Sequence, residues 1–176
     1  MNTIIAILLV VAGIIVLLLI IALFMKKKHY VNREIIINAP RQKVFNYIKL
    51  LKNQDEFNKH AMAGRDRKRE FKGTDGTVGY IYSWSGNKDA GVGEKEIKNI
   101  IEGKRIETEI RFVKPIRTSA KVIMETESLA DNQTKVSLSN AGTLKYPLNI
   151  MIPLLEKNFP KALDSSLSTL KNILEK

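Results

Sequence analysis

The sequence has no cysteine and only two histidines, His29 and His60. Disulfides and cysteine–histidine nucleophile pairs are therefore excluded, and a multi-histidine metal site would have too few ligands. The sequence also has no Gly-x-Ser-x-Gly elbow and no glycine-rich loop ending in Gly-Lys-Ser/Thr, the signatures of many hydrolases and nucleotide-binding proteins. We predict no metal and no cofactor, assign no catalytic residue, and favour a non-catalytic protein.

Charged residues are absent from the start of the chain, where an apolar run extends from Ile4 to Met25. A helix of about 22 residues is roughly 33 Å long, enough to cross a hydrocarbon core of about 30 Å. A secretory signal peptide would have basic residues before its apolar stretch and a cleavage site after it. This run has no basic residue before it and is followed by Lys26, Lys27 and Lys28. We therefore predict a transmembrane helix over residues 1–25.

The distribution of basic residues predicts the orientation of that helix. Residues 1–3 carry no basic side chain, whereas Lys26, Lys27, Lys28 and Arg33 follow the run. Basic residues favour the cytoplasmic side, so we expect a single-pass protein of the inner cell membrane with its N-terminus outside and its C-terminal domain in the cytoplasm. We divide the rest of the chain into a basic linker, 26–30, and one domain, 31–176.

The net charge of +11 is compatible with several kinds of partner. No helix-turn-helix, zinc-ligand or aromatic RNA-binding pattern is present, so we predict no nucleic-acid partner. Lys26, Lys27 and Lys28 are candidate membrane-surface residues, since each juxtamembrane lysine contributes about 1 kcal/mol near an anionic leaflet. The other basic residues either contact lipid or only keep the domain soluble. The oligomeric state is left open.

Periodicity predicts the elements of the domain. Val31 to Asn38 is rich in β-branched residues and predicts a strand, and Val44, Phe45 and Ile48 recur at helical spacing after it. A second short helix is predicted around residues 55–61. Alternation with a period of two, broken by turn residues, then predicts six strands. They cover residues 67–71, 77–85, 91–101, 105–112, 118–126 and 134–142.

The C-terminal segment returns to helical spacing. Its leucines form one apolar stripe: Leu163, Leu167, Leu170 and Leu174. Pro153 and Pro160 interrupt the preceding residues, so we expect a broken or kinked segment before a regular helix from about Pro160. The element order predicts an α+β fold, a curved antiparallel sheet of about seven strands wrapped around a long C-terminal helix.

Five short strings, in this order, are similar to sequences of the SRPBCC superfamily, which has the START and pollen-allergen helix-grip fold. The strings are Ile37-Asn38-Ala39-Pro40 with Val44-Phe45, Tyr82-Ser83-Trp84-Ser85-Gly86-Asn87, Gly91-Val92-Gly93-Glu94, Arg105-Ile106-Glu107, and Leu167-Ser168-Thr169-Leu170-Lys171. The domain most resembles the polyketide cyclase/dehydrase-type branch of bacterial proteins, over residues 31–176.

The resemblance implies a hydrophobic cavity between the sheet and the long helix, and strand alternation indicates which side chains line it. Trp84 and Tyr82 are the foremost candidates, because each combines a large apolar surface with one hydrogen-bonding group. The other lining candidates are Tyr80, Thr108, Ile110, Phe112, Val122, Met124, Val136, Leu138 and Asn140. The alternative for each of these residues is that it simply fills the core.

Two ionisable residues are further candidates for the cavity. Lys95 shares strand parity with Gly93 and Ile97, so it is a candidate for an inward position and for anchoring an acidic group of a ligand. Related sequences tend to carry an apolar residue there, and the alternative is an exposed lysine at the cavity mouth. His60 follows the predicted helical segment and either borders the entrance or lies on the surface.

Three functions remain open at this point, because the fold hosts lipid carriers, hormone receptors, cyclases and cochaperone-type modules. The leading hypothesis is a membrane-anchored domain that faces the cytoplasm and binds a lipid, isoprenoid or polyketide-like small molecule. The second is a polyketide cyclase- or dehydratase-like enzyme that uses Lys95, His60, Tyr82 or Asn140. The third is a cochaperone-like protein-interaction module. Convergence of the polar groups inside a pocket would favour the enzyme.

Overall fold

The computed structural model describes residues 2–58, 68–86 and 91–176. Within these residues, an N-terminal helix precedes an antiparallel sheet, and three further α-helices and one 3-10 helix belong to the domain. The elements in chain order are α1 (Thr3–Phe24), β1 (Lys28–Ile37), α2 (Arg41–Lys49), α3 (Leu51–Phe57), β2 (Lys68–Lys72), β3 (Ile81–Ser85), β4 (Val92–Ile101), β5 (Arg105–Lys114), β6 (Thr118–Ala130), β7 (Gln133–Thr143), a short 3-10 helix (Leu148–Met151) and α4 (Ile152–Leu174).

The seven strands form one sheet in the order β1-β7-β6-β5-β4-β3-β2, and every neighbouring pair is antiparallel. Strands β2 to β7 follow one another as a meander, and β1 joins it beside β7. This arrangement, with the long helix α4, confirms the predicted α+β helix-grip architecture.

The main core lies between the sheet and helices α2 to α4. The leucine stripe of α4 is buried as predicted, with Leu167, Leu170 and Leu174 at most 3% exposed. Helix α4 packs along β1, and α2 packs over β6 and β7. Burying one apolar face of each element against the others is what an amphipathic helix and a one-sided sheet both require.

Helix α4 differs from the prediction at its N-terminal end. It is one helix from Ile152 to Leu174, so the expected break before Pro160 is wrong. Pro153 occupies the first turn, where a missing N–H costs nothing because those donors have no partner within the helix. Pro160 lies inside the helix and removes one hydrogen bond. The burial of Ile152 before it and of Leu167, Leu170 and Leu174 after it outweighs that loss.

Helix α3 begins four residues earlier than predicted, at Leu51. The cause is remote in sequence: the Asp75 carboxylate accepts hydrogen bonds from the backbone N–H groups of Leu51 (2.8 Å) and Lys52 (3.1 Å). A carboxylate at this end also interacts favourably with the helix dipole.

Strand β3 starts later than predicted, at Ile81, because Gly76 and Gly79 adopt positive φ in the preceding turn.

The junction between α1 and the domain is short. Strand β1 begins at Lys28, so residues 28–30 of the predicted linker belong to the sheet and only Met25, Lys26 and Lys27 separate the two elements. Helix α1 is 22 residues long and apolar, and it is long enough to cross a membrane. Ala22 is its one buried residue, at the end that meets the domain.

Candidate functional site

The side chains on the inner face of the sheet form two separate apolar clusters. Val122, Met124, Val136 and Leu138 pack into the same cluster as the leucine stripe of α4. These four cavity candidates are therefore core residues, covered by helices. Tyr80, Tyr82 and Trp84 belong instead to a second cluster on the side of β3 and β4, together with Leu51 and Ile97.

Aromatic rings form a continuous surface across β2, β3 and β5, which we call the aromatic cluster: Phe71, Tyr80, Tyr82, Trp84 and Phe112. Ring centroids are 5.4 Å apart for Phe71 and Tyr82, 6.0 Å for Tyr82 and Trp84, and 5.8 Å for Trp84 and Phe112. Phe71 and Phe112 are 48% and 37% exposed, whereas the central rings are buried. An apolar surface with both exposed and buried rings is suited to contact with a flat or hydrophobic ligand.

Gly93 allows two of these rings to meet. It lies on β4 directly between Trp84 on β3 and Phe112 on β5. A Cβ atom at Gly93 would lie 2.5 Å from Trp84 Cζ2 and 2.8 Å from the Arg111 carbonyl oxygen. The sequence did not reveal this role of Gly93, because a close approach between strands leaves no mark on the alternation of side chains.

Lys95 points inward, as its strand parity predicted, and is 7% exposed. It lies between Tyr82 on β3 and Ile110 on β5. Its Nζ donates a hydrogen bond to Gln54 Oε1. Gln54 Nε2 in turn donates to the Ile48 carbonyl oxygen at 2.7 Å, which holds the amide oxygen towards the lysine. Within the described residues, no carboxylate forms an ion pair with Lys95, so its hydrogen-bond partner there is neutral.

Burial dominates the electrostatics of this group of polar residues. It lowers the pKa of Lys95 to about 8, and the nearby Asp55 carboxylate opposes that shift in part. Burial, followed by the charges of Asp75 and Asp55, raises the pKa of Tyr80 to about 12. The Tyr80 hydroxyl is buried and has no hydrogen-bond partner among the described residues. Lys95, Gln54 and Asp55 are therefore polar residues next to the aromatic cluster, with Lys95 paired to Tyr82 across β3 and β4.

The remaining candidates lie elsewhere. Thr108 is 2% exposed, and its hydroxyl donates to the Val122 carbonyl oxygen at 3.2 Å, which is a structural role. Asn140 lies on β7, and its Oδ1 is 3.0 Å from His29 Nε2. The structure therefore brings Tyr80, Tyr82, Trp84, Lys95 and Phe112 together but not Asn140. His60 lies outside the described residues.

His29 was missed as an inward residue. Its ring is 7% exposed and packs edge-on against Phe159 at 5.6 Å. Extending the alternation of β1 backwards from Val31 by two positions would have placed it on the inner face. His29 was predicted to lie in the linker, residues 26–30, and so was not assigned to the strand.

Two recesses lined by described residues lie near these groups. One of about 250 Å³ opens beside Trp84 on the outer side of the sheet, with Ser83, Gly93 and Glu94 in its wall. Another of about 570 Å³ lies beside His29 at the end of β1 and β7. No cluster of metal-ligating side chains occurs in ranges 2–58, 68–86 and 91–176. The arrangement can hold an apolar molecule on the rings and an anionic group at Lys95.

Comparisons with known proteins define the class of the domain by its fold. No protein-family model matches the sequence, and no curated protein matches it. Solved structures do match, and together with the seven-stranded sheet and α4 they show that the domain has the helix-grip fold found in Bet v 1-like and SRPBCC proteins.

Three of these structures illustrate the likeness. Truncated norcoclaurine synthase from Thalictrum flavum has a TM-score of 0.63 at 13% identity, covering 85% of this chain and 95% of that one. Ara h 8.0201 has a TM-score of 0.58 at 16% identity, covering 84% and 97%. DynU16, a putative protein in the dynemicin biosynthetic locus, has a TM-score of 0.56 at 12% identity, covering 84% and 47%. At these identities the likeness shows the fold alone.

Proposed function

We propose that this protein binds a hydrophobic small molecule with an acidic group, such as a lipid, isoprenoid or polyketide-like acid, in a domain anchored to the membrane and facing the cytoplasm. The observation that carries the proposal is Lys95, a buried ammonium group with a neutral partner on an aromatic surface.

A buried charge is costly unless an opposite charge and hydrogen bonds compensate it. Gln54 supplies one neutral acceptor to Lys95. A neutral acceptor offsets only part of the free energy that is lost when the ammonium group is removed from water. A ligand carboxylate or phosphate next to Nζ would stabilise the ammonium form. The apolar part of the ligand would then lie on Trp84 and the half-exposed Phe112.

The neighbours in fold support a small-molecule site. One is named as a synthase, and another is a protein of a biosynthetic locus. The proposed site is the aromatic cluster beside Lys95 and not the region under α4, where other cavity candidates pack in the core.

The membrane part of the proposal rests on α1 and the residues after it. The helix is apolar throughout, and its side chains are exposed along almost its whole length. Lys26, Lys27 and Lys28 follow at one end, which favours the cytoplasmic side for the domain. A tethered domain would meet a membrane-soluble ligand at a high local concentration.

Native mass spectrometry of the full chain, extracted from cell membranes in mild detergent, tests the ligand. We expect a hydrophobic adduct on the wild type that is lost in Trp84→Ala, because the central indole surface is removed. Tyr30→Ala is the matched control, since Tyr30 is 66% exposed on β1 and its variant should keep the adduct.

Circular dichroism of each variant shows whether the loss is specific. If Trp84→Ala is unfolded, Phe112→Ala replaces it, because that ring is 37% exposed and its removal is less disruptive. Empty wild-type protein from lipid-rich preparations, or an adduct retained by both aromatic variants, would contradict the proposed site.

A reporter fused after Lys176 tests the orientation independently of any ligand. An enzyme that is active only in the cytoplasm should be active in this fusion, and one that is active only outside should be silent. The opposite pattern would reverse the orientation without affecting the ligand proposal.

A second candidate function is a cyclase- or dehydratase-like enzyme, favoured by the adjacency of Lys95 and Tyr82 across β3 and β4. A lysine with a pKa of about 8 can accept or return a proton near neutral pH. Asn140 lies with His29 rather than with these two residues, so the polar groups converge only in part. Recovery of a chemically altered ligand from the wild type, but unaltered ligand from Lys95→Met, would favour the enzyme.

A further inference from the structure

We infer that the segment from Leu144 to Glu156 is a second membrane contact, in which Tyr146, Met151 and Leu154 enter the boundary between lipid headgroups and acyl chains. The partner is the anionic leaflet itself. The inference rests on the proposed membrane anchor and is independent of the proposed ligand. We call the three side chains the docking face.

The segment is tied to α1 and to the residues that follow it at three points. The Leu144 backbone N–H donates to the Lys27 carbonyl oxygen at 2.8 Å. Asn149 Nδ2 donates to the carbonyl oxygens of Ala22 at 2.6 Å and Met25 at 3.1 Å. At the far end of the segment, Lys26 Nζ lies 2.7 Å from a carboxylate oxygen of Glu156.

The central tie is buried. Asn149 and Ala22 are both fully buried. The asparagine amide gives the Ala22 carbonyl a second donor, at the helix end where the regular donor four residues ahead is missing. With only residues 25–27 between α1 and β1, the domain has little freedom to swing about the helix. A membrane that ends at the C-terminal end of α1 therefore lies next to this segment.

The side chains that face outward from the segment are suited to that position. Tyr146 is 42% exposed, Met151 39% and Leu154 55%. Met151 and Leu154 are three residues apart, so they lie on one face at the start of α4. The 3-10 helix that ends at Met151 contacts α1, and Phe24, the last residue of α1, is 87% exposed.

Charge favours lipid over a protein partner on this face. Lys145 and Lys157 flank the apolar residues and are exposed, as are Lys27 and Lys28 across the junction. Apolar and aromatic side chains bordered by lysines are typical of segments that lie in the interface of an anionic membrane. Continuity with the apolar surface of α1 points to the same environment.

Site-directed spin labelling tests the inference on the full chain, because the protein has no cysteine of its own. Single-cysteine variants are made at Met151 and Leu154, and at Ile14 in the middle of α1. Val78→Cys and Leu129→Cys are controls, since these apolar residues are 60% and 45% exposed elsewhere in the domain. Labelled proteins are placed in nanodiscs of phosphatidylcholine and phosphatidylglycerol, and collisions with oxygen and with a water-soluble nickel chelate are measured.

Labels at Ile14, Met151 and Leu154 are expected to favour oxygen several-fold over the nickel chelate, relative to Val78 and Leu129. Omitting phosphatidylglycerol should reduce the preference at Leu154 but not at Ile14. A lipid signal at Ile14 with water-like signals at Met151 and Leu154 would overturn the docking face and leave the anchor in place. A water-like signal at Ile14 would overturn the anchor. Protection of Leu154 from both reagents would indicate a protein partner and would also overturn the inference.

Discussion

Lys95→Met is expected to weaken the binding of a fatty acid to the full chain in detergent by roughly 10- to 100-fold at pH 7, since a hydrogen bond to a charged group contributes about 1.5–3 kcal/mol. A fluorescent palmitate analogue is a suitable probe, and its methyl ester is the matched ligand without the charge. The ester should bind the wild type and the variant about equally, because methionine keeps the apolar contacts. Fluorescence titration measures the dissociation constants of the acid and of the ester for each protein.

The same variant has a matched control on the same strand. Lys98 also lies on β4, but its side chain is 49% exposed and pairs with Glu96. Lys98→Met should bind the acid as the wild type does. Equal losses in the two variants would mean that overall charge, and not a buried anchor, attracts the acid.

The pH dependence follows from the lowered pKa of Lys95. Near pH 7 the side chain is a cation, and above its pKa of about 8 it is neutral in the empty protein. A bound carboxylate favours the protonated lysine, so binding of the acid should be strong at pH 6–7 and weaken as the pH rises through 8 and 9. Lys95→Met should show a flat profile over the same range. A wild-type profile that is also flat would contradict the role of Lys95.

The free energy of unfolding of the protein without ligand, measured as a function of pH, tests whether Lys95 is a buried charge. Between pH 8 and the ordinary lysine pKa of 10.5, the unfolded chain binds a proton that the folded chain does not. Stability therefore rises with pH in that window, and the buried charge costs stability below it. Lys95→Met has no group that titrates there, so the rise of its free energy of unfolding between pH 8 and 10.5 should be absent. A wild type without that rise would contradict the lowered pKa of Lys95.

The sequence predicted the architecture well because each element carries its own period. Alternation in β4 placed Lys95 on the inner face, and the spacing of Leu167, Leu170 and Leu174 predicted one buried stripe. Both predictions depend only on local geometry. The beginning of α3 could not be found in this way, because Asp75, far along the chain, caps it.

The candidate site was harder to predict for a related reason. Alternation shows which side chains point inward but not which helix covers them. Met124 and Tyr80 had equal standing as cavity residues, and only the packing of α4 and α2 separates the filled core from the aromatic cluster. The role of Gly93 depends on atoms of two neighbouring strands, which no spacing in one strand can reveal.

Gly93→Ala is expected to lower the free energy of unfolding by about 1–3 kcal/mol, the usual cost of forcing an extra carbon into a packed site. The new Cβ would lie 2.5 Å from Trp84 Cζ2 and 2.8 Å from the Arg111 carbonyl oxygen. The indole can rotate away, but the carbonyl belongs to the backbone of β5 and can move only with its strand. The contact between Trp84 and Phe112 across β4 would be lost as well.

Fluorescence reports this change directly, because Trp84 is the only tryptophan in the chain. We expect a red-shifted emission maximum in Gly93→Ala, since the displaced indole becomes more exposed to water, together with a lower midpoint of thermal unfolding. Gly13→Ala is the control, because a Cβ there meets no atom within 4 Å and should change neither quantity. Unchanged emission and stability in Gly93→Ala would mean that Trp84 is not held against β4. The aromatic cluster would then be too loosely packed to orient a ligand towards Lys95.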